Sequence, residues 1–304
     1  MVDEQRRRLH DAGLTASLLV RDLRTGREIG IDPDLVMPAA SLVKVPLALA
    51  TLQRIHRGEL DGAAMLDVPP GRVSTPGPTG LSRFVHPARV AVADLVYLSV
   101  ALSDGVAADA LFGLTPPRTV AAELAALGLR GLTVRHRVHE LVESPAERLD
   151  GMPHLAHALA INAGTQEGGH LVRQLDMTRS NTGTARAFTE LLQALWTPSS
   201  IDPLVSRRLR ELLGHTVFRQ RLAPDFTSDT ARWSSKTGTL LNLRHEIGVV
   251  EHSDGGVYAV AVLTRSEVPA AQQPAAEAVM ALVARTLRDE LRDTTVQAED
   301  PGSP

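Results

Sequence analysis

The chain has no cysteine, and this absence excludes a disulfide framework and any zinc site built on thiolates. It does not by itself fix the redox compartment. The sequence also lacks any run close to the roughly 20 uninterrupted apolar residues of a membrane-spanning helix. We therefore expect a protein that does not enter a membrane.

The amino-terminal segment lacks the apolar core of a secretory signal peptide, because residues 1–13 are rich in charged side chains. We therefore expect the chain as written to stay in the cytoplasm. A processed secreted or periplasmic protein with a replacement Met is the alternative interpretation.

Size and charge limit the classes of function. The 304 residues are 43% hydrophobic, enough for a substantial core in one large domain or two closely packed subdomains. A net charge of −3 gives no electrostatic reason to expect nucleic-acid binding. The basic cluster Arg6-Arg7-Arg8 lies among acidic residues, as is typical of a solvated helix surface.

Lysine is scarce, and this scarcity is informative. Of the 32 basic side chains 30 are arginine, and the two lysines are Lys44 and Lys236. Arginine keeps its proton in proteins, whereas burial and neighbouring charges can tune a lysine to act as a base or a proton relay. We interpret the two lysines as residues retained for chemistry.

Both lysines lie in short motifs, which are Ser41-x-x-Lys44 and Lys236-Thr237-Gly238, and Ser103-Asp104-Gly105 lies between them. Alone, each motif is weak. Ser41-x-x-Lys44 is compatible with a capping serine beside a surface lysine. Ser103-Asp104-Gly105 is compatible with a helix-ending turn, and Lys236-Thr237-Gly238 with a strand end. Together and in this order, they resemble the serine β-lactamase and penicillin-binding protein family from about residue 16 to residue 263.

The apolar stretch Leu42 to Ile55 predicts a buried helix with Ser41 at its start. Free backbone N–H groups and the positive end of the helix dipole favour a nucleophile there. Lys44 follows one turn later on the same face, within reach of the Ser41 hydroxyl. The resemblance implies that Ser41 is acylated and that Lys44 is its general base or relay.

For the other motifs, the resemblance implies that Ser103 passes a proton to the leaving nitrogen and that Lys236 places positive charge beside it. Thr237 and Thr239 would hold the substrate carboxylate. The backbone N–H groups of Ser41 and Thr239 would form the oxyanion hole. Either residue of the pair Arg244-His245 would face the carboxylate. The expected substrate-binding set is therefore Thr237, Gly238, Thr239, Arg244, His245 and Gly105.

Two departures from the family affect this prediction. Gly105 stands where the family usually has Asn, which removes an amide beside the substrate or Lys44. For deacylation, class A members of the family use a glutamate that positions water on a loop between the second and third motifs. Glu140 is the best match because residues 128–140 resemble the family's approach to that loop. The family's partner asparagine is Ser144 here. The alternative for Glu140 is a solvated loop carboxylate or an ion pair with a nearby arginine, Arg135 or Arg137. Glu143 and Glu147 are reserve candidates.

Several histidines raise the question of a metal site: His136, His139, His154, His157 and His170. No H-E-x-x-H pattern is present, and His154-x-x-His157 alone is a weak signal. We expect no metal and no cofactor.

The sequence pattern predicts an α/β (α+β) fold, with one antiparallel sheet built from the two ends of the chain, flanking helices and an inserted helical subdomain. The α/β part would comprise about residues 1–40 and 216–295, the helical part about 41–215, and a tail 296–304. Predicted helices cover residues 3–12, 42–55, 92–102, 118–127, 154–161, 185–196 (capped by Asn181 or Thr182), 203–214 and 270–292. Predicted strands cover 16–22, 27–32, 231–236, 246–251 and 257–264, and residues 58–89 are predicted to form a surface excursion.

The leading functional hypothesis is a monomeric β-lactamase that opens a lactam ring through an ester on Ser41. One alternative is an intracellular amidase, esterase or transacylase acting on a peptide or a specialised metabolite. Another is a non-catalytic ligand-binding protein or sensor. In each case the expected partner is a small molecule, a β-lactam or a related amide or ester that carries a carboxylate.

Overall fold

The computed structural model describes residues 1–70, 79–138, 152–165 and 169–299. Its centre is a five-stranded antiparallel sheet in the order β2-β1-β9-β8-β7. The strands are β1 (Leu14–Asp22), β2 (Glu28–Ile31), β7 (Ala231–Leu240), β8 (Leu243–His252) and β9 (Val257–Ser266). Two small sheets pair β3 (Met37–Pro38) with β6 (Thr182–Gly183) and β4 (Met65–Val68) with β5 (Ala88–Ala91).

Helices cover both faces of the central sheet. Those on the amino-terminal side of the chain are α1 (Val2–Asp11), α2 (Lys44–His56), α3 (Val92–Ala101), α4 (Gly105–Leu114) and α5 (Pro117–Ala126). The later ones are α6 (Pro153–Asn162), α7 (Ala185–Trp196), α8 (Pro203–Gly214), α9 (Ala223–Phe226) and α10 (Pro274–Glu299). No helix in the described ranges is long and apolar enough to cross a membrane.

The sheet separates two apolar cores because side chains alternate between its faces. Leu18 and Val262 pack with α1 and α10 on one face. Leu19 and Ile247 point to the other face, into a larger core with α2, α7 and α8. Helix α2 is apolar almost all round, as expected of a helix buried on every side. Its first residue, Lys44, is therefore drawn into the interior.

The predicted fold is confirmed: the strands at the two ends of the chain form one antiparallel sheet with flanking helices. The division into subdomains with the stated limits stays a prediction. The described part of the surface excursion contains β4 and the start of β5, which the weak sequence pattern did not indicate. Helix α4 was also missed. The cap of α7 is neither Asn181 nor Thr182 but Thr184, whose hydroxyl accepts a hydrogen bond from the Ala187 N–H.

Candidate active site

Ser41 lies in a 3₁₀ turn, Ala40–Val43, that runs directly into α2. Ala40 has a left-handed φ of 47°, which is uncommon for a residue with a side chain and typical of a geometry imposed by its surroundings. The backbone N–H of Ala39 donates to the Asn181 carbonyl at 2.7 Å and ties the start of the turn to the region around β6. The turn thus holds Ser41 at the edge of a cleft.

Lys44 is 2% exposed, and its ammonium group faces Ser41. Its Nζ lies 3.3 Å from the Ser41 Oγ, 3.4 Å from the Ser103 Oγ and 2.5 Å from the Ser103 carbonyl oxygen. Burial lowers the pKa of Lys44 to about 8, against the opposing effect of the carboxylates of Asp104 and Asp109. A substantial fraction of Lys44 is therefore neutral near pH 8, as a base requires.

Ser103 lies between α3 and α4 with a φ of 56°. The next residue, Asp104, fixes this conformation because its buried carboxylate caps α4. It accepts hydrogen bonds from the backbone N–H groups of Val106 at 2.9 Å and Ala107 at 3.2 Å, and from that of Leu81. The aspartate of the second motif thus has a positioning function in the fold, and the serine beside it faces the cleft.

Lys236 reaches Ser103 from the opposite side. Its Nζ donates to the Ser103 Oγ at 2.8 Å and to the Thr237 carbonyl at 2.7 Å. Burial places its pKa well below the ordinary lysine value, and the positive charges of Lys44 and Arg221 act in the same direction. The structure therefore brings the hydroxyls of Ser41 and Ser103 and both lysines of the chain into one connected array.

Gly238 allows strand β7 to lie close to the nucleophile. A Cβ atom at this position would stand 3.2 Å from the Leu42 Cγ and 3.2 Å from the His245 Cβ, closer than most contacts of this kind. Leu42 belongs to the same turn as Ser41. Because β7 is an edge strand, half of its backbone N–H groups point away from β8, as the expected oxyanion hole requires.

The array opens into a cleft of about 750 Å³. It is lined by residues of all three motifs and of the carboxyl-terminal helix, including Ser41, Lys44, Ser103, Gly105, Thr237, Thr239, Arg244 and Glu277. The size is that of a small-molecule site.

Comparison of the chain with known proteins identifies its family. A family model described as "Beta-lactamase enzyme family" matches residues 2–291. The chain belongs to this family.

Among curated relatives of this β-lactamase-family chain, the "Beta-lactamase regulatory protein BlaB" of Streptomyces cacaoi is 62% identical, over 96% of this chain and 98% of the relative. A β-lactamase from Chitinophaga pinensis covers 95% of this chain and 98% of its own at a TM-score of 0.74 and 18% identity. An acyl-enzyme complex of a PBP-A mutant with penicillin G covers 96% and 97% at a TM-score of 0.73 and 17% identity. At these identities the solved structures show the fold alone.

In this member of the family, a buried arginine that the sequence did not reveal lies at the floor of the cleft. Arg221 is 3% exposed. Its guanidinium donates to the carbonyls of Gly238 at 3.1 Å and His245 at 2.9 Å and to the Thr239 Oγ1 at 2.7 Å. It also pairs with Glu277 at 2.9 Å. The short helix and turns around Arg221 have no periodic pattern, so the sequence carried no signal for it.

The structure treats the pair Arg244-His245 differently from the expectation. Arg244 lines the cleft, but its guanidinium donates to backbone carbonyls, those of Leu243 at 2.7 Å and Ala271 at 2.5 Å among them. Burial lowers its pKa, helped by the charge of Arg221. Both terminal nitrogens of the Arg244 guanidinium thus already donate to backbone carbonyls of the protein.

His245 does not reach the cleft, and the expectation that it contacts substrate is corrected. Its ring is fully buried on the opposite face of β8, where Nδ1 accepts from the Thr264 N–H at 3.1 Å and Nε2 lies 2.9 Å from the Pro38 carbonyl. Burial lowers its pKa to about 4. It is therefore a neutral histidine that joins β8 to the strand before Ser41.

The candidate for deacylation, Glu140, lies outside the described residues, as do His139, Glu143, Ser144 and Glu147. The chain leading to Glu140 is described. There the Asn181 Oδ1 accepts from the backbone N–H groups of Arg135 at 2.7 Å and His136 at 3.2 Å. The described ranges contain no group of three or more residues suited to hold a metal ion.

Proposed function

We propose that this protein forms an acyl-enzyme on Ser41 with a β-lactam, or with a related amide or ester that carries a carboxylate. The observation that supports it best is the connected array, in which a buried lysine with a pKa of about 8 lies 3.3 Å from a serine hydroxyl. A nucleophile beside a base of this kind is the arrangement that acyl transfer requires.

In the proposed acylation, neutral Lys44 takes the proton of the Ser41 hydroxyl as Oγ bonds to the lactam carbonyl carbon. The carbonyl becomes an oxyanion that faces backbone N–H groups of Ser41 and Thr239. When the C–N bond breaks, Ser103 gives its hydroxyl proton to the nitrogen and receives one from protonated Lys44. The Lys236 amine donates a hydrogen bond to the Ser103 oxygen at 2.8 Å and holds it in place during this transfer.

The substrate carboxylate would lie at the end of the cleft formed by β7 and the buried arginine. Thr237 and Thr239 present hydroxyls there, and Arg221 contacts the Thr239 hydroxyl at 2.7 Å. The positive charge of Arg221 favours an anion there, and a charge–charge attraction is stronger in a buried site than in water. A substrate with a neutral group at this position should therefore react more slowly.

A second candidate is a receptor that signals the presence of a β-lactam by keeping its acyl group. The relative from Streptomyces cacaoi is described as a regulatory protein, which favours this candidate. Among the described residues, the one side chain bonded to the Ser41 hydroxyl is Lys44, and no carboxylate contacts it. Release of the acyl group would then depend on Glu140 or another residue of its segment.

The two candidates are separated by one experiment with a chromogenic cephalosporin. Sustained colour development that is lost in Ser41→Ala supports a β-lactamase, and Glu140→Gln should then accumulate acyl-enzyme. A stoichiometric burst with a stable mass increase on Ser41 supports the receptor. If neither colour nor a mass increase appears with penicillins or cephalosporins, acylation by β-lactams is refuted.

A further inference from the structure

Glu246 is a fully buried carboxyl group that the proposed chemistry does not use. It lies on β8 directly opposite Thr237 of β7, so the two side chains share a face of the sheet. This is the face on which the carboxylate of a substrate is expected to lie. A buried carboxyl group beneath a surface expected to bind an anion is costly, so its presence here calls for a physical reason.

Three hydrogen bonds converge on this group, two from β7 and one from the segment beside Arg221. One oxygen accepts from the Trp233 indole N–H at 2.8 Å and from the Ser235 hydroxyl at 2.8 Å, both on β7. The other oxygen accepts from the backbone N–H of Leu222 at 2.8 Å. Glu246 therefore joins β7 and β8 to the segment that carries Arg221.

Leu222 is the residue next to Arg221, so the bond to its N–H holds the backbone from which the arginine side chain extends. The Arg221 guanidinium continues the connection, since it contacts the carbonyl of Gly238 and the hydroxyl of Thr239. The same guanidinium is paired with Glu277 on α10. The Leu222 N–H donates to Glu246, and among the described residues no other acceptor on the sheet is recorded for it.

Electrostatics points the same way. The negative charge of Glu246 raises the pKa of Lys236 against the effect of burial. The pKa of Glu246 is itself raised by burial, whereas its three donors and the charge of Arg221 favour the carboxylate. Removing one member of such a buried charged group leaves the others unbalanced.

From these contacts we infer that Glu246 is a positioning residue for the anion-binding end of the cleft: it holds the Arg221 segment against β7 so that the guanidinium lies beneath Thr239. The inference rests on the proposed function for its effect on substrates. The effect of Glu246 on the position of Arg221 is independent of the proposed function. The two effects can therefore be tested separately.

The test uses Glu246→Gln, which keeps the shape of the side chain. All three partners of Glu246 are donors, so the NH₂ group of the glutamine must face at least one of them. The matched control is Glu251→Gln, the same change on the same strand. Ser235→Ala is a second control, because it removes one donor but keeps the charge and the Leu222 bond. Thermal unfolding of each variant shows that it is folded.

The first measurement is hydrogen exchange of the backbone around residue 222. We expect faster exchange in Glu246→Gln than in the wild type and no change in Glu251→Gln. Unchanged exchange in Glu246→Gln overturns the inference. This result needs no substrate, so it stands even if the wild type is never acylated and the proposed function fails.

The second measurement compares acylation rates for a cephalosporin and its neutral methyl ester. If Glu246 positions Arg221, the preference for the anion falls at least about tenfold in Glu246→Gln, which is about 1.4 kcal/mol or more, and stays within about twofold in both controls. If Glu246 acts only through its negative charge, its loss makes the cleft more positive, and the preference for the anionic cephalosporin should rise. A preference that rises or stays unchanged while both rates fall together overturns the inference and leaves Glu246 a purely structural residue.

Discussion

The titration of Lys44 gives the sharpest test of the proposed chemistry. Its pKa is lowered from 10.5 to about 8, and a shift of this size corresponds to about 3 kcal/mol favouring the neutral amine. At pH 7.5 roughly one Lys44 in four should be neutral, against about one in a thousand for an unperturbed lysine. Because only the neutral amine can take the Ser41 proton, acylation should become faster as the pH rises through about 8.

The assay is stopped-flow acylation by a chromogenic cephalosporin between about pH 6 and about pH 10. We expect a tenfold change per pH unit well below the midpoint and a plateau above it. Lys44→Arg, which keeps its proton, should acylate about 10² to 10⁴ times more slowly. Ser41→Ala supplies the background rate.

The same pKa can be observed directly, since the chain contains two lysines. Isotope labelling of lysine should give two side-chain NMR signals, and Lys236→Arg removes one and so assigns the other to Lys44. A Lys44 signal that titrates near its ordinary pKa, or an acylation rate independent of pH across this range, would refute the role of Lys44 as a base.

Three further substitutions test individual contacts. Ser103→Ala removes the hydroxyl that lies between the two lysines, so acylation should slow about 10² to 10³-fold with little change in melting temperature. Asp104→Asn leaves an amide group facing the Leu81 N–H and should cost about 1 to 3 kcal/mol in chemical denaturation. The same variant should lower the pKa of Lys44 further, because the Asp104 carboxylate raises it. Thr184→Ala removes the cap of α7 and should cost about 1 kcal/mol without altering acylation.

The sequence pointed to the residues of the connected array because few residue types can perform the proposed chemistry. In a chain that otherwise uses arginine, Lys44 and Lys236 stood out, and the motifs around them led to Ser41 and Ser103. The order of strands and helices was sufficient for the fold, since both ends of the chain had strand patterns and the middle did not.

What the sequence missed depends on contacts between distant segments. Arg221 is one of 30 arginines, and nothing local marks it as buried under Thr239. The error at His245 has a simpler cause. Neighbours on a strand point to opposite faces, so Arg244 and His245 cannot both face the cleft. The predicted strand began at residue 246, whereas β8 begins at Leu243, so the alternation was not applied to this pair.

The pairing of β1 with β9 has a consequence for synthesis of the protein. Leu18 lies opposite Val262, so the central strand neighbours come from opposite ends of the polypeptide. A ribosome must therefore finish nearly the whole chain before the sheet can close, and such non-local contacts are slow to form. Nascent or truncated chains would carry Ser41 and Lys44 without Lys236, so they should not undergo the proposed acylation until the last strands are released.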